Sequence, residues 1–332
     1  MLSSARRIAK LSKTAIVGFH ILENWKSSIK LRSGDSSSAA LPHADFGDDV
    51  NAAVAHVNDT YDSYIRNSSI SSHLLDGARV LEVGPGDNFG VALTFLANGA
   101  RQVVCLDRFL CIRDPAHERA IYESLRAGLS EERKRRFDDA VRLDGEIRFN
   151  PERLRYIPGV GLEEASAQVE PGSFDLIVSM AVLEHVYDSA AAFREMDKLL
   201  RLGGSMLHGV DFRDHGLFSS GGHHPLTFLT IEDGVYRLMS SHSGLPNRNL
   251  IDFYRDALAG MNYEFRIMKA RVVGESHEIN PHKAELKLGE DYSDATLSLL
   301  QEIRPKLLSK FRAMSDDDLM VSAMFFVARK PA

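Results

Sequence analysis

The chain is short of cysteine, of net positive charge and of long apolar runs. Its 332 residues include only two cysteines, Cys105 and Cys111, so no disulfide framework is implied and a reducing cytoplasm is the expected setting. Acidic residues outnumber basic ones, 46 against 40, for a net charge of −6. General nucleic-acid binding, which normally needs a basic face, is therefore not expected. No stretch is apolar for long enough to span a bilayer. Internal repeats and long low-complexity tracts are missing too. What remains is an ordinary globular composition, with length for one large core carrying insertions or for two modest ones.

The first 32 residues depart from that average. Arg6, Arg7, Lys10, Lys13, Lys26, Lys30 and Arg32 face a single acid, Glu23, while Ile8, Leu11, Ala15, Phe19, Leu22 and Trp25 recur at helical spacing. Three readings stay open: an amphipathic helix at an anionic inner-membrane surface, an Arg- and Ser-rich transit peptide, or a helix packed on its own domain or on a partner subunit of a homodimer. A secretory signal is not expected, because no clean apolar core and small-residue cleavage site follow the basic residues. Residues 33–47 are small, polar and turn-rich and read as a linker. One domain is expected over 48–332.

Within it the elements alternate. Residues 48–66 read as a helix with Tyr61 and Tyr64 near its end, and strands follow at 79–83 and 102–107 around a helix over 91–98. Gly99 suits the position after a helix C-terminus. Residues 114–140 read as a charged, solvated helical stretch. Further strands are expected at 154–158, at 173–180, and after a turn at Gly203–Gly204. A helix lies at 189–201, with others near 230–240, 249–260 and 295–313. Two last strands are expected near 263–273 and 319–329. Strands alternating with helices predict an α/β, Rossmann-like, doubly wound and mostly parallel sheet with helices on both faces.

Such a sheet binds its ligand beyond the carboxyl ends of its central strands. There lies "VLEVGPGDNFG", residues 80–90, a strand that ends in a loop holding Gly84, Gly86 and Gly90. A nicotinamide dinucleotide is disfavoured, because its fingerprint needs a glycine where Phe89 stands. Glu82, inside the strand, would also oppose a pyrophosphate. A carboxylate there suits a ligand with a positive end. S-adenosylmethionine is such a ligand, with a sulfonium and an α-ammonium for Glu82 and ribose hydroxyls for Asp107 at the end of the next strand.

"VLEVGPGDNFG", "VVCLD", "SFDLIVSMAVLEHVYD" and "LLRLGGSMLHGVDF", in this order, resemble the class I S-adenosylmethionine-dependent methyltransferases over roughly residues 75–215. The resemblance implies a seven-stranded sheet. It also implies that Glu82, Gly84, Gly86 and Asp107 bind the cofactor, that Met180 borders it, and that Glu163 lies near the adenine amino group. Leu162 is the alternative there, through packing and its backbone N–H.

For the chemistry, Asp211, His215, His223 and His224 are expected to leave the sheet on the ligand side. An Asp211–His215 pair can take a hydroxyl proton, although turn-capping roles for these histidines weigh equally. His185, in "LEHV", suits a structural hydrogen bond or a chemical role. No metal is expected, since no ligand pair stands at helical spacing. The acceptor is expected to be a small molecule or glycan, methylated at oxygen, in a pocket built from insertions at about 111–150 and 216–260. Arg237, Asn247 and Arg248 can meet an anionic acceptor or serve as caps and surface charge. Two other readings are a cofactor-binding partner protein without turnover and a nicotinamide-dependent oxidoreductase.

Overall fold

A computed structural model of the chain describes residues 12–32, 49–68, 75–109, 111 and 113–332, with only the backbone at 30–32. The whole of the expected linker, 33–47, and residues 1–11 of the basic segment lie outside the described residues. Seven strands form the main sheet: β1 Arg79–Val83, β2 Gln102–Asp107, β3 Leu154–Pro158, β4 Phe174–Met180, β5 Leu200–Asp211, β6 Glu264–Val272 and β7 Val321–Arg329. Their order is β3-β2-β1-β4-β5-β7-β6. The pairings from β3 to β5 are parallel, and β7 runs antiparallel to both neighbours. Strand order reverses between β1 and β4, which is where an open α/β sheet leaves a crevice.

Period-two alternation places the core. Leu81, Val83, Val104 and Leu106 enter one apolar layer, and Val80, Val103 and Cys105 enter the other. The second layer is covered by α2 Val50–Ser68, α3 Gly90–Ala97, α4 Pro115–Ala127 and α5 Glu131–Ala140, through residues such as Val57, Tyr64, Leu93, Tyr122 and Phe137. The first is covered by α6 Ser189–Leu199, α7 Asp233–Ser240, α8 Ile251–Gly260 and α9 Asp294–Ile303, through Phe193, Met196, Tyr236, Tyr254, Leu258 and Leu300. The preceding helix, α1 Lys13–Arg32, lies on α7. Its Asn24 amide donates to Leu238 O at 2.9 Å and accepts from His242 N at 2.6 Å, and Ile16 is buried beside it. Phe19, Leu22, Trp25 and Ile29 stay exposed. Among the described residues no helix is long and apolar enough to cross a membrane.

Three expectations about elements need correction, the first being the helix near 295–313, whose continuous α-helical part ends at Ile303. The stretch 114–140 is two helices, since Gly128 to Ser130 break it and Asp114 caps the first by accepting from Ala116 N at 2.9 Å. The Gly203–Gly204 pair does not precede β5 but lies within it. Gly203, at φ +73°, donates to Lys330 O at 3.1 Å, and Lys330 N donates to Gly204 O at 2.9 Å, so the chain's last residues carry the strand through the pair.

Candidate functional site

A cavity of about 250 Å³ opens beyond the carboxyl ends of β1, β2 and β4. The turn after β1 forms its floor. Gly84 has φ +71°, and a Cβ there would stand 2.5 Å from Val182 Cγ2, so both backbone shape and space demand glycine. Gly86, at φ +73°, has nothing within 4 Å of its would-be Cβ and faces open space. The third glycine does different work: a Cβ on Gly90 would meet Val57 Cγ2 at 2.6 Å, so Gly90 lets α3 approach α2. Phe89, which spoils the dinucleotide spacing, donates its N–H to Tyr122 Oη at 2.9 Å, and the Arg113 guanidinium sits 3.8 Å over its ring. Arg113 in turn donates to Gly86 O at 2.9 Å and fixes the turn.

Glu82 and Asp107 face this cavity from adjacent strands. Glu82 is buried, and the Cys105 thiol donates to it at 3.5 Å. Burial pushes its carboxyl up to about 7, with Asp107 adding to the rise and Cys105 and Arg113 opposing it. A buried acid at that balance ionises readily once a cation arrives. Asp107, also buried, accepts from Phe109 N at 3.0 Å. Met180 borders the cavity, and its sulfur occupies space that a side chain on Gly209 would take. Glu163 and Leu162 also line it, but Glu163 is already engaged by Arg108 Nη2 at 2.5 Å and by Tyr187 N at 2.8 Å. A carboxylate at the floor, a second beyond it, and a glycine turn between them match a ligand with a cationic end and a diol. On these observations the residues fit S-adenosylmethionine.

The opposite rim carries His185 and His215. His185 sits in the short helical turn Leu183–His185 and its Nδ1 bonds Gly244 O at 2.8 Å. His215 has φ +50°, unusual for a residue with a side chain. Its loop is locked by Asp214, which accepts from Gly216 N, Phe218 N, Ser219 N and Ser219 Oγ at 3.0, 2.8, 2.8 and 2.6 Å. The two rings meet edge to face at 4.9 Å.

Several expected roles are not met. Asp211 lies 4.0 Å from His215 Nε2, beyond hydrogen-bond reach. Arg213 has taken its carboxylate, with Nε to Oδ1 at 2.9 Å and Nη2 to Oδ2 at 2.5 Å. Burial alone would raise the Asp211 carboxyl, but that guanidinium outweighs it and holds the group below its ordinary range. His224 bonds Leu299 O and Leu226 N in a turn, and His223 packs on Phe218; neither lines the cavity. Asn247 clamps Leu183 O and Val186 O, Arg248 holds Phe228 O, Ile231 O and Asp233, and Arg237 is exposed. Among the described residues, 111–150 and 216–260 contribute no lining side chain to this cavity.

Sequence reasoning missed the outer wall, which α2 supplies through His56, Thr60 and Tyr64. It also missed Arg113 and Glu184. Glu184 is buried, its Oε2 has no hydrogen-bond partner, and burial pushes its carboxyl well above the usual range. An acid set between an apolar run and a histidine, as in "VLEHV", is the signal that points to it.

A family profile described as a methyltransferase domain matches residues 61–253. Comparison with curated proteins gave no match. Among solved structures the chain is similar to phosphoethanolamine N-methyltransferase 2 of Haemonchus contortus in complex with S-adenosyl-L-methionine. The TM-score is 0.43 at 14% identity, covering 82% of this chain and 53% of that one. The chain thus spans about half the length of that protein. It is also similar to an S-adenosylmethionine dependent methyltransferase from Mesorhizobium loti (TM-score 0.39, 16% identity, 80% of this chain and 95% of that one). The YcgJ protein of Bacillus subtilis is a third (TM-score 0.42, 12% identity, 83% and 99%).

Proposed function

The chain belongs to the methyltransferase-domain family of class I S-adenosylmethionine-dependent methyltransferases, and from that premise we propose that it methylates an oxygen of a small-molecule or glycan acceptor. The cofactor, S-adenosyl-L-methionine, supplies when bound a methyl group already activated by its sulfonium. The observation that carries the reading is the two-sided cavity: carboxylates of Glu82 and Asp107 on one side, imidazoles of His185 and His215 on the other. Glu82 holds the α-ammonium, Asp107 accepts from the ribose hydroxyls, and Gly84 and Gly86 let the backbone lie close. Met180 and Leu162 exclude water from the adenosyl portion, with Glu163 near the adenine. His185 and His215 orient the acceptor hydroxyl and receive its proton.

In this reading residues 48–332 are the transferase unit and 1–32 an extension. The exposed Phe19, Leu22, Trp25 and Ile29 lie along one face of α1, beside Lys26, which pairs with Glu23 at 2.7 Å. That face suits peripheral contact with an anionic membrane.

Calorimetric titration with S-adenosylhomocysteine and with NAD tests the cofactor end; tight binding of NAD alone would overturn it. Incubation with methyl-labelled cofactor and fractionated hydroxylated metabolites or glycans tests the acceptor end. Label recovered as a base-stable ether supports the reading. Label recovered only on nitrogen or carbon overturns the oxygen assignment, and no labelled product with any fraction favours a binding protein.

A further inference from the structure

The histidine rim contains more than two imidazoles. One ligand atom each from Glu184, His185 and His215 lies within 4.8 Å of the other two. Glu184 Oε1 is 4.0 Å from His215 Nε2, while Glu184 Oε2 is buried and makes no hydrogen bond. Such an orphaned acceptor is costly to leave unmet.

Tautomer chemistry adds a second argument. A carbonyl can only accept, so His185 Nδ1 must donate to Gly244 O across their 2.8 Å contact. In the neutral ring the lone pair then resides on Nε2. A backbone carbonyl that fixes one nitrogen so that the other can ligate is the usual support of a metal-bound histidine.

The ligands are also held. The turn carrying Glu184 and His185 is clamped by Asn247, whose N–H donates to Glu184 O at 2.5 Å and whose amide donates to Leu183 O at 2.9 Å. His215 is fixed at φ +50° by the Asp214 network, a strain that needs a return. Both histidines line the cavity, so a group held between them would meet the acceptor.

We infer that Glu184, His185 and His215 bind a divalent transition-metal ion at the acceptor end of the cavity. Two imidazoles and one carboxylate suit zinc, iron(II), cobalt or manganese better than calcium or magnesium. Three protein ligands leave a position open to the acceptor, as in metal sites that act on substrates. The inference rests on the oxygen-methylation reading and changes the histidines' part in it, from proton acceptors to ligands. The ion lowers the pKa of the acceptor hydroxyl, whose proton leaves to water. The oxygen then forms its bond to the methyl carbon as the carbon–sulfur bond breaks, and a neutral thioether departs.

Cobalt(II) is the probe. The full chain is stripped with a chelator, desalted and titrated with Co2+ while visible ligand-field absorption is followed. A single saturating equivalent is expected, with bands typical of nitrogen and oxygen ligands. His215→Gly, which suits the positive φ, and Glu184→Gln should each weaken Co2+ binding by at least about tenfold, the loss that even an outer support causes. S-adenosylhomocysteine affinity should stay unchanged in His215→Gly, which guards against misfolding. Absence of stoichiometric binding, or binding indifferent to both variants, overturns the inference. Co2+ binding without methyl transfer to any hydroxyl would leave the ion site standing and remove the oxygen reading. Undiminished transfer by the stripped protein, with no Co2+ binding, would do the reverse.

Discussion

At the scale of single residues, Glu82 sets a pH dependence whose sign can be worked out. Its carboxyl rises on folding from an ordinary 4.5 to about 7, chiefly through burial. Between those values the folded chain keeps a proton that the unfolded chain has released. The ligand-free protein therefore loses stability as pH climbs through this window, by on the order of 3 kcal/mol once above it. A ligand with an ammonium end needs the ionised form, so its binding tightens up to about pH 7 and then levels off. Calorimetry of S-adenosylhomocysteine binding across neutral pH should give that profile. Glu82→Gln should bind more weakly, without the pH step, and should melt higher than the parent when no ligand is present. A parent affinity flat across pH would take Glu82 out of contact with the ammonium. Asp107→Ala is simpler: losing a charged acceptor for two hydroxyls should weaken binding by about 1.5–3 kcal/mol, and unchanged affinity in the folded variant would exclude it from the site. Both acids were legible in the sequence because a carboxylate in or at the end of an apolar buried strand has few structural uses. Arg113 was not, since its reach to Gly86 O and the Phe89 ring crosses a gap no local pattern encodes.

Elements were legible where burial is two-sided. β1 and β2 fall on their expected residues, and β4 within one residue of them, because central parallel strands read as short apolar runs. Helix boundaries in charged stretches read less well: solvated residues carry little periodicity, and the break at Gly128 to Ser130 passed as surface. The acceptor side was sought in the insertions, whereas α2 forms the outer wall, because the packing of a helix onto a distant strand end leaves no mark in sequence order. For α1 the sequence left three readings, and the structure places one face on α7 while Phe19, Leu22, Trp25 and Ile29 remain exposed. Trp25, 61% exposed, is the chain's one tryptophan, so its fluorescence reports on this face alone. Vesicles containing anionic lipid should shift its emission to shorter wavelength, zwitterionic vesicles should not, and added salt should reverse the shift. Deletion of residues 1–32 should abolish co-sedimentation with anionic vesicles. Emission unmoved by any lipid, with sedimentation independent of the deletion, would rule out the membrane contact.

At the scale of the whole molecule, the cavity belongs to no one element. Its wall runs from His56 on α2 through the ends of β1, β2 and β4 to His215 beyond β5, so it draws on both apolar layers and on both sides of the strand-order reversal. An unfolded chain cannot assemble it, and a ligand held there binds the native state alone. Linkage then fixes the size of the effect: at a hundred times its Kd, such a ligand adds about 2.7 kcal/mol to the unfolding free energy. For a unit of this size that corresponds to a rise in Tm of roughly 4–5 °C. Thermal unfolding with S-adenosylhomocysteine should give this rise, with NAD at the same concentration giving none, and Asp107→Ala should need proportionately more ligand to reach it. The transition should shift as one, because α2 and the β5 loop both touch the occupied cavity. A ligand-induced split, with one phase moving and another fixed, would mean that the two rims fold separately and that the acids and the histidines do not share one site.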